Sequence, residues 1–202
     1  MRLPPISAEQ DGLFTRKQAT AAGIARSTLR RRLTAGHLVE LAPDVFAARL
    51  VETERSQRQR VRAVLLERDA VASHWSAILL LGLDHDHPAL HRGSDLVQVS
   101  VTRERRLAPV DGATIHRTTF FDGDVRRVDG MRVTTAQRTM VDLISALPAA
   151  EGRSLAFRAR QQGWLDADGI ALAIERRRWW KGNAQLRAVQ PIFERNVHSV
   201  GE

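Results

Sequence analysis

One short segment, residues 25–35, combines the side-chain types and the spacing that nucleic-acid recognition requires. Its guanidinium groups can pair with phosphates or with guanine, and its small hydroxyl groups can reach base edges. On a helix, the apolar Leu29 and Leu33 share one side. The opposite side then carries the residues expected to meet bases, Ser27, Thr28 and Arg31. Between the two sides lie the residues expected to hold phosphates, Arg26, Arg30 and Arg32.

The sequence around this segment predicts the elements that would position it. Thr15 followed by Gln18 is a capping-box pattern that opens a first helix, and Gly23 ends that helix. The second helix is expected over 25–35, before Gly36, and two short strands should follow, joined by a turn at residues 43–44. Helix, turn, helix and hairpin form the outline of a winged helix-turn-helix. We also expect a preceding helix over 7–14 and backbone contacts from Arg16 and Lys17, while the hairpin should touch the adjacent groove or phosphates.

Three stretches, residues 12–48, 71–83 and 131–147, resemble the AbiEi-type antitoxins. These are transcriptional regulators of type IV toxin–antitoxin systems, and the likeness extends over about residues 8–195. The resemblance implies an N-terminal winged helix-turn-helix, autorepression of an operon, and a second domain that counteracts a nucleotidyltransferase-like toxin without necessarily touching it. Longer relatives continue into an endonuclease-like domain, which we do not expect in this chain.

The remainder of the chain predicts an α+β (mixed α/β) fold, in which helices pack on a small mixed or antiparallel sheet. We expect a DNA-binding domain over 7–49, a connecting helix over 50–68, a second domain over 69–196 and a tail over 197–202. Strands are predicted at 96–101, 113–117, 125–128 and 131–134, and helices at 51–68, 69–83, 135–147, 149–163, 166–178 and 183–195.

Other candidate sites offer weaker chemistry. The loop 84–93 contains three histidines and two aspartates before residue 92, but Pro88 opposes a helix that would present His87 and His91 together. His74 and Ser76 point in different directions on a helix, so they do not form a nucleophilic pair. Arg138 and Asp142 are spaced as a local helical ion pair, which contributes only a few tenths of a kcal/mol. We therefore expect no catalytic residue, no metal site and no cofactor.

The segment 176–181, RRRWWK, permits three interpretations. Its arginines can end a helix with the tryptophans in the core, which is the interpretation we favour. The same residues can stack bases and bind phosphates, or form a partner interface in which the two indoles are exposed.

Composition favours a protein that meets a polyanion. The chain of 202 residues carries a net charge of +8, although arginine predominates so strongly over lysine that a GC-rich genome also accounts for it. Cysteine is absent, and neither a membrane span nor a signal-peptide core is recognisable, so we expect a cytoplasmic protein.

These observations predict a sequence-specific regulator, acting as a monomer or weak homodimer on double-stranded DNA with inverted or direct repeats at a promoter. Two alternatives stay open. One is a DNA-targeting remnant of a nuclease-fused relative, and the other is a protein–protein interaction module.

Overall fold

The computed structural model describes residues 3–48, 57–83, 96–105 and 109–194 and has the predicted mixed α/β fold. Its contacts divide the chain into two compact units. The first consists of Met1–Ala72, Asp95–Thr119 and Asp129–Arg132, and the second of Ser73–Ser94, Phe120–Val128 and Val133–Glu202. The domain boundaries expected from the sequence stay a prediction.

The two N-terminal helices begin and end where their local sequence predicts. Helix α1 (Arg16–Ala21) opens with a capping box, because Thr15 Oγ1 accepts a hydrogen bond from Gln18 N and Gln18 Oε1 accepts one from Thr15 N. Helix α2 (Arg26–Thr34) follows a turn at Gly23, whose φ of 78° suits glycine. Gly36, with a φ of 69°, ends α2 in the same way.

The segment expected to form a first helix over 7–14 instead forms a short 3-10 helix, Pro5–Glu9, and a strand, β1 (Leu13–Thr15). Asp11 and Gly12 both have positive φ, which interrupts a helix. Arg62 of the next helix also donates to Asp11 Oδ2, at 2.6 Å, which stabilises this turn. The expected helix is therefore wrong.

Strand β1 joins the predicted hairpin in a three-stranded antiparallel sheet. Strands β2 (Leu38–Ala42) and β3 (Val45–Ala48) form the hairpin, and the order is β1, β3, β2. Phe14 stands opposite Phe46, with ring centroids 5.9 Å apart, and both are fully buried. Leu29 of α2 packs in the same cluster, so the aromatic pair holds the second helix on the sheet.

The first unit continues with α3 (Gln57–Glu67) and three further strands. Strand β4 (Val71–Ala72) runs antiparallel to β5 (Val97–Thr102), and β5 runs parallel to β6 (Ala113–Thr118). The sheet is thus mixed, as expected. The helix predicted to start at residue 69 starts only at His74, because Val71 and Ala72 pair with Ser100 and Val99.

The second unit is mainly helical. It contains α4 (His74–Leu81), β7 (Val125–Val128), the end of β8 (Met131–Thr134), α5 (Ala136–Ala146), α6 (Ala149–Gln161), α7 (Ala167–Arg176) and α8 (Asn183–Glu194). Thr135 caps α5 as predicted, and Asp129–Gly130 forms the predicted turn between β7 and β8 with positive φ at both residues. Met140, Ile144, Leu155, Ile170 and Leu186 are fully buried in one core shared by these helices.

Candidate nucleic-acid interface

Helix α2 has one buried face and one exposed face. Leu29 is only 1% exposed and packs against the aromatic pair, with Ile24 and Leu33 half-buried beside it. Ser27 and Arg31 are exposed on the opposite side. Two of the residues expected to meet bases therefore stand on the solvent side of a helix that is anchored by its other side.

The flanks of α2 are less uniform than the sequence suggested. Arg26 and Arg30 are exposed, whereas Thr28 and Arg32 are half-buried. Thr28 lies on the helix about 100° from Leu29, at the edge of the buried face rather than opposite it. Arg32 also takes part in an interaction within the chain. Of the six predicted contacts on this helix, four are thus fully presented to solvent and two stand at the margin.

The electrostatic character of α2 is positive. Four arginines and no carboxylate lie in Arg26–Thr34. The residue before the helix, Ala25, provides no side-chain cap, so the first backbone N–H groups are not engaged by its side chain. Those N–H groups, the helix dipole and Arg26 all favour an anion at the start of α2. An exposed, positively charged helix of this kind is suited to binding a polymer that carries phosphates.

The other two predicted contacts lie at the start of α1. Lys17 is exposed, whereas Arg16 is half-buried and already paired. Arg16 Nε donates to Asp44 Oδ1 at 2.5 Å, and its guanidinium lies 5.2 Å from the centroid of the Phe46 ring. The structure thus brings Arg16 to the tip of the hairpin.

The second unit contains a buried ionic network that sequence reasoning treated as a local pair. Arg138 Nε donates to Asp142 Oδ2 and Arg177 Nη2 contacts Asp142 Oδ1, each at 2.9 Å, while Arg138 Nη1 also pairs with Asp124. Burial by itself raises the pKa of Asp142, but the nearby charges of Arg177, Arg138 and His74 lower the pKa overall. Burial lowers the pKa of Arg177. The helical ion pair expected from the sequence is present, but it is part of a larger network in which all four ionic side chains are largely shielded from solvent.

The RRRWWK segment has one exposed and one packed indole. Trp179 is 85% exposed, with the Arg178 guanidinium 5.2 Å from its ring centroid. Trp180 is half-buried and stacks on Phe121 at 6.3 Å, while Arg176 lies 5.0 Å from the same phenyl ring. The core interpretation is therefore wrong for Trp179, and Trp180 packs at the surface of the second unit.

The other sequence candidates are His74, Ser76 and the histidine loop. His74 and Ser76 are buried, and His74 Nδ1 lies 3.0 Å from Ser73 Oγ. The histidine loop 84–93 lies outside the described residues. Among the residues that are described, no group of histidines and carboxylates is arranged to hold a metal ion. In the same part of the chain, no helix combines the length and the apolar character that crossing a bilayer requires.

Two helices joined by a tight turn, followed by a hairpin and presenting an arginine-rich face, have the arrangement of a winged helix-turn-helix. Residues 1–48 match the sequence model of a family described as "Transcriptional regulator, AbiEi antitoxin". The resemblance found in the sequence is therefore confirmed for this segment, which contains the whole helix-turn-helix and the hairpin. No curated protein matches the chain.

Proposed function

We propose that this protein is a sequence-specific, double-stranded DNA-binding transcriptional regulator. The observation that carries the proposal is the exposed face of α2, which presents arginines and no carboxylate within the segment that matches the regulator family. The opposite face is fixed by the buried Leu29, so the exposed side chains project from a rigid support. Such preorganisation lowers the entropy cost of forming an interface.

In the mechanism, α2 enters the major groove. Arg31 donates to a guanine through two N–H groups, and Ser27 and Thr28 contact neighbouring base edges. Arg26 and Arg30 hold phosphates on either side, with further backbone contacts from Arg32 and Lys17. Inverted or direct repeats in the promoter would then recruit two copies of the protein, as a weak dimer or as cooperative monomers.

The cellular role that we propose is that of an antitoxin which represses its own operon and counteracts a nucleotidyltransferase-like toxin in the cytoplasm. Support comes from the family match of the first 48 residues. We propose that the protein acts by binding alone, without enzymatic activity or a cofactor. The antitoxin role is tested by expressing the neighbouring gene as the candidate toxin. Growth is then compared with and without induction of this protein from a separate promoter.

A titration tests DNA binding. The protein is mixed with the duplex upstream of its own coding sequence and with a scrambled duplex of equal length, across a salt series. We expect promoter binding to survive about 150 mM salt while binding to the scrambled duplex collapses. Equal, salt-sensitive binding to both duplexes would contradict the proposal, because it would mean that α2 supplies positive charge but recognises no sequence.

The exposure of Trp179 supports a second candidate function, a protein-interaction module in the second unit. Trp and Arg are enriched at interface hot spots, and an indole that is 85% exposed is unusual without a partner. The same unit contains a cavity of about 210 Å³ that is lined in part by Phe121, Leu172 and Arg176. If Trp179→Ala restores growth less well than the wild type while promoter binding is unchanged, the surface around Trp179 contacts a protein partner. Full rescue would remove this candidate.

A further inference from the structure

The tip of the hairpin is joined to the start of α1 by three contacts from Arg16. Its backbone N donates to Asp44 O at 2.9 Å, and its Nε donates to Asp44 Oδ1 at 2.5 Å. Its guanidinium also lies against the ring of Phe46. The guanidinium of Arg16 is therefore directed at the hairpin, where it contacts Asp44.

The same tip is acidic. Asp44 N donates to Glu40 Oε1 at 2.8 Å, which brings a second carboxylate to the turn. The tip thus combines two carboxylates with one guanidinium and has a net negative charge. Carboxylates of a hairpin that approached the DNA backbone would be repelled by its phosphates, whose charge dominates affinity.

These contacts suggest two alternative arrangements for Arg16 when DNA is bound. If Arg16 turned to a phosphate, Asp44 would lose its cation while standing close to an anion. If Arg16 stays with Asp44, it fixes the acidic tip beside α1 and leaves binding to the cations of α2. The observed geometry corresponds to the second arrangement, because the ion pair, the backbone hydrogen bond and the ring contact are all formed together.

We infer that Arg16 is a positioning residue that holds the Asp44 carboxylate of the hairpin tip away from DNA, rather than a phosphate contact. The inference rests on the proposed DNA-binding function and revises one of its details. The expectation that the hairpin itself touches phosphates or the adjacent groove is replaced by a restrained, acidic hairpin that does not touch the duplex.

The test measures the affinity and the salt slope for the upstream duplex with four variants, Arg16→Gln, Asp44→Asn, the double variant and Arg30→Gln. We expect Arg16→Gln to weaken binding roughly three- to tenfold, because the released Asp44 carboxylate approaches the DNA backbone. The double variant should regain an affinity within about twofold of the wild type and keep the wild-type salt slope, because no carboxylate at position 44 then needs restraint. Circular dichroism and thermal unfolding establish that each variant is folded.

The other outcomes overturn the inference. If Arg16 contacts a phosphate, the double variant stays weak and its salt slope falls by about 0.9. If the pair only stabilises the fold, Arg16→Gln, Asp44→Asn and the double variant all weaken binding similarly. An Arg16→Gln variant that binds like the wild type also contradicts the inference.

Arg30→Gln separates the failure of this inference from the failure of the proposed function. This exposed arginine on α2 should lose about 0.9 of the salt slope whatever Arg16 does. A wild-type protein that does not prefer its upstream duplex, or an Arg30→Gln variant with an unchanged slope, would contradict DNA reading by α2. When the wild type prefers its upstream duplex and Arg30→Gln has the reduced salt slope, the variants at Arg16 and Asp44 alone decide whether the inference holds.

Discussion

Replacing Asp142 by asparagine should destabilise the second unit strongly, although the change is nearly isosteric. The carboxylate receives Arg138 Nε and Arg177 Nη2 on its two oxygens, each at 2.9 Å. An asparagine keeps one acceptor oxygen and turns an NH₂ group towards a guanidinium. Arg177 is buried and forms an ion pair with Asp142 at 2.9 Å, so the substitution leaves a buried cation with a poor partner.

The magnitude follows from the burial of the network. Removing one partner of a buried ion pair costs about 3–5 kcal/mol, because the remaining charge stays desolvated. Arg138 keeps Asp124 as a partner, so we expect the lower end of this range, about 3 kcal/mol. For a chain of this size, each kcal/mol lowers the midpoint of thermal unfolding by roughly 2–4 °C. The expected decrease is therefore about 6–12 °C.

Urea unfolding followed by circular dichroism measures the change, and tryptophan fluorescence reports on the second unit through Trp180. Asp122→Asn is the matched control, because it removes the same charge from an exposed position two residues before Asp124. The control should change the free energy of unfolding by less than about 0.5 kcal/mol. An Asp142→Asn variant as stable as the control would refute the reasoning, since the network would then contribute no more than a surface pair.

Three further predictions concern the pH dependence, the base contacts and the core. Because the folded pKa of Asp142 lies below the ordinary value of 3.8, its contribution to stability is complete above that pH and is lost as the pH falls through the folded pKa. The stability difference between wild type and Asp142→Asn should accordingly shrink in acid urea titrations. Arg31→Ala should cost about 1–3 kcal/mol on promoter DNA and relax base preference in a binding-site selection, whereas Arg30→Ala should weaken all duplexes alike. Leu29→Ala should lower the free energy of unfolding by about 2–5 kcal/mol in urea, and a loss under 1 kcal/mol would contradict its core role.

The features that were predictable from the sequence depend on nearby residues. The capping box of Thr15 and Gln18, the cap at Thr135 and the Asp129–Gly130 turn each involve groups no more than a few positions apart. Such signals are contained in a short window because the hydrogen bonds that they describe are local. For the same reason, both boundaries of α2 were predictable to within one residue.

The features that were missed depend on partners far away in the chain. Strand β1 exists because Phe14 pairs with Phe46, and β4 exists because Val71 pairs with Ser100. In the same way, the spacing of Arg138 and Asp142 predicts their ion pair, but nothing in the sequence indicates that Arg177 also contacts Asp142. Long-range pairing decides whether a short apolar segment becomes a strand, and whether a helical ion pair lies at the surface or in the interior.

The dimensions of α2 limit how much specificity one copy can supply. Its nine residues extend about 13 Å, which corresponds to roughly four base pairs. The three side chains that we propose as base contacts, each discriminating by about 1–3 kcal/mol, would provide roughly 3–9 kcal/mol in total. Rejecting about 10⁶–10⁹ competing genomic sites requires about 8–12 kcal/mol.

One module would therefore fall short of the required discrimination over most of this range, and the hairpin tip, which we infer to stay off the duplex, would add no compensating base contact. Two copies on paired half-sites would supply the difference. We expect cooperative binding to the upstream duplex with a Hill coefficient above 1 and a loss of cooperativity when about five base pairs, half a helical turn, are inserted between the half-sites. Non-cooperative binding that is unaffected by this insertion would mean that a single copy reads its site with contacts beyond those of α2.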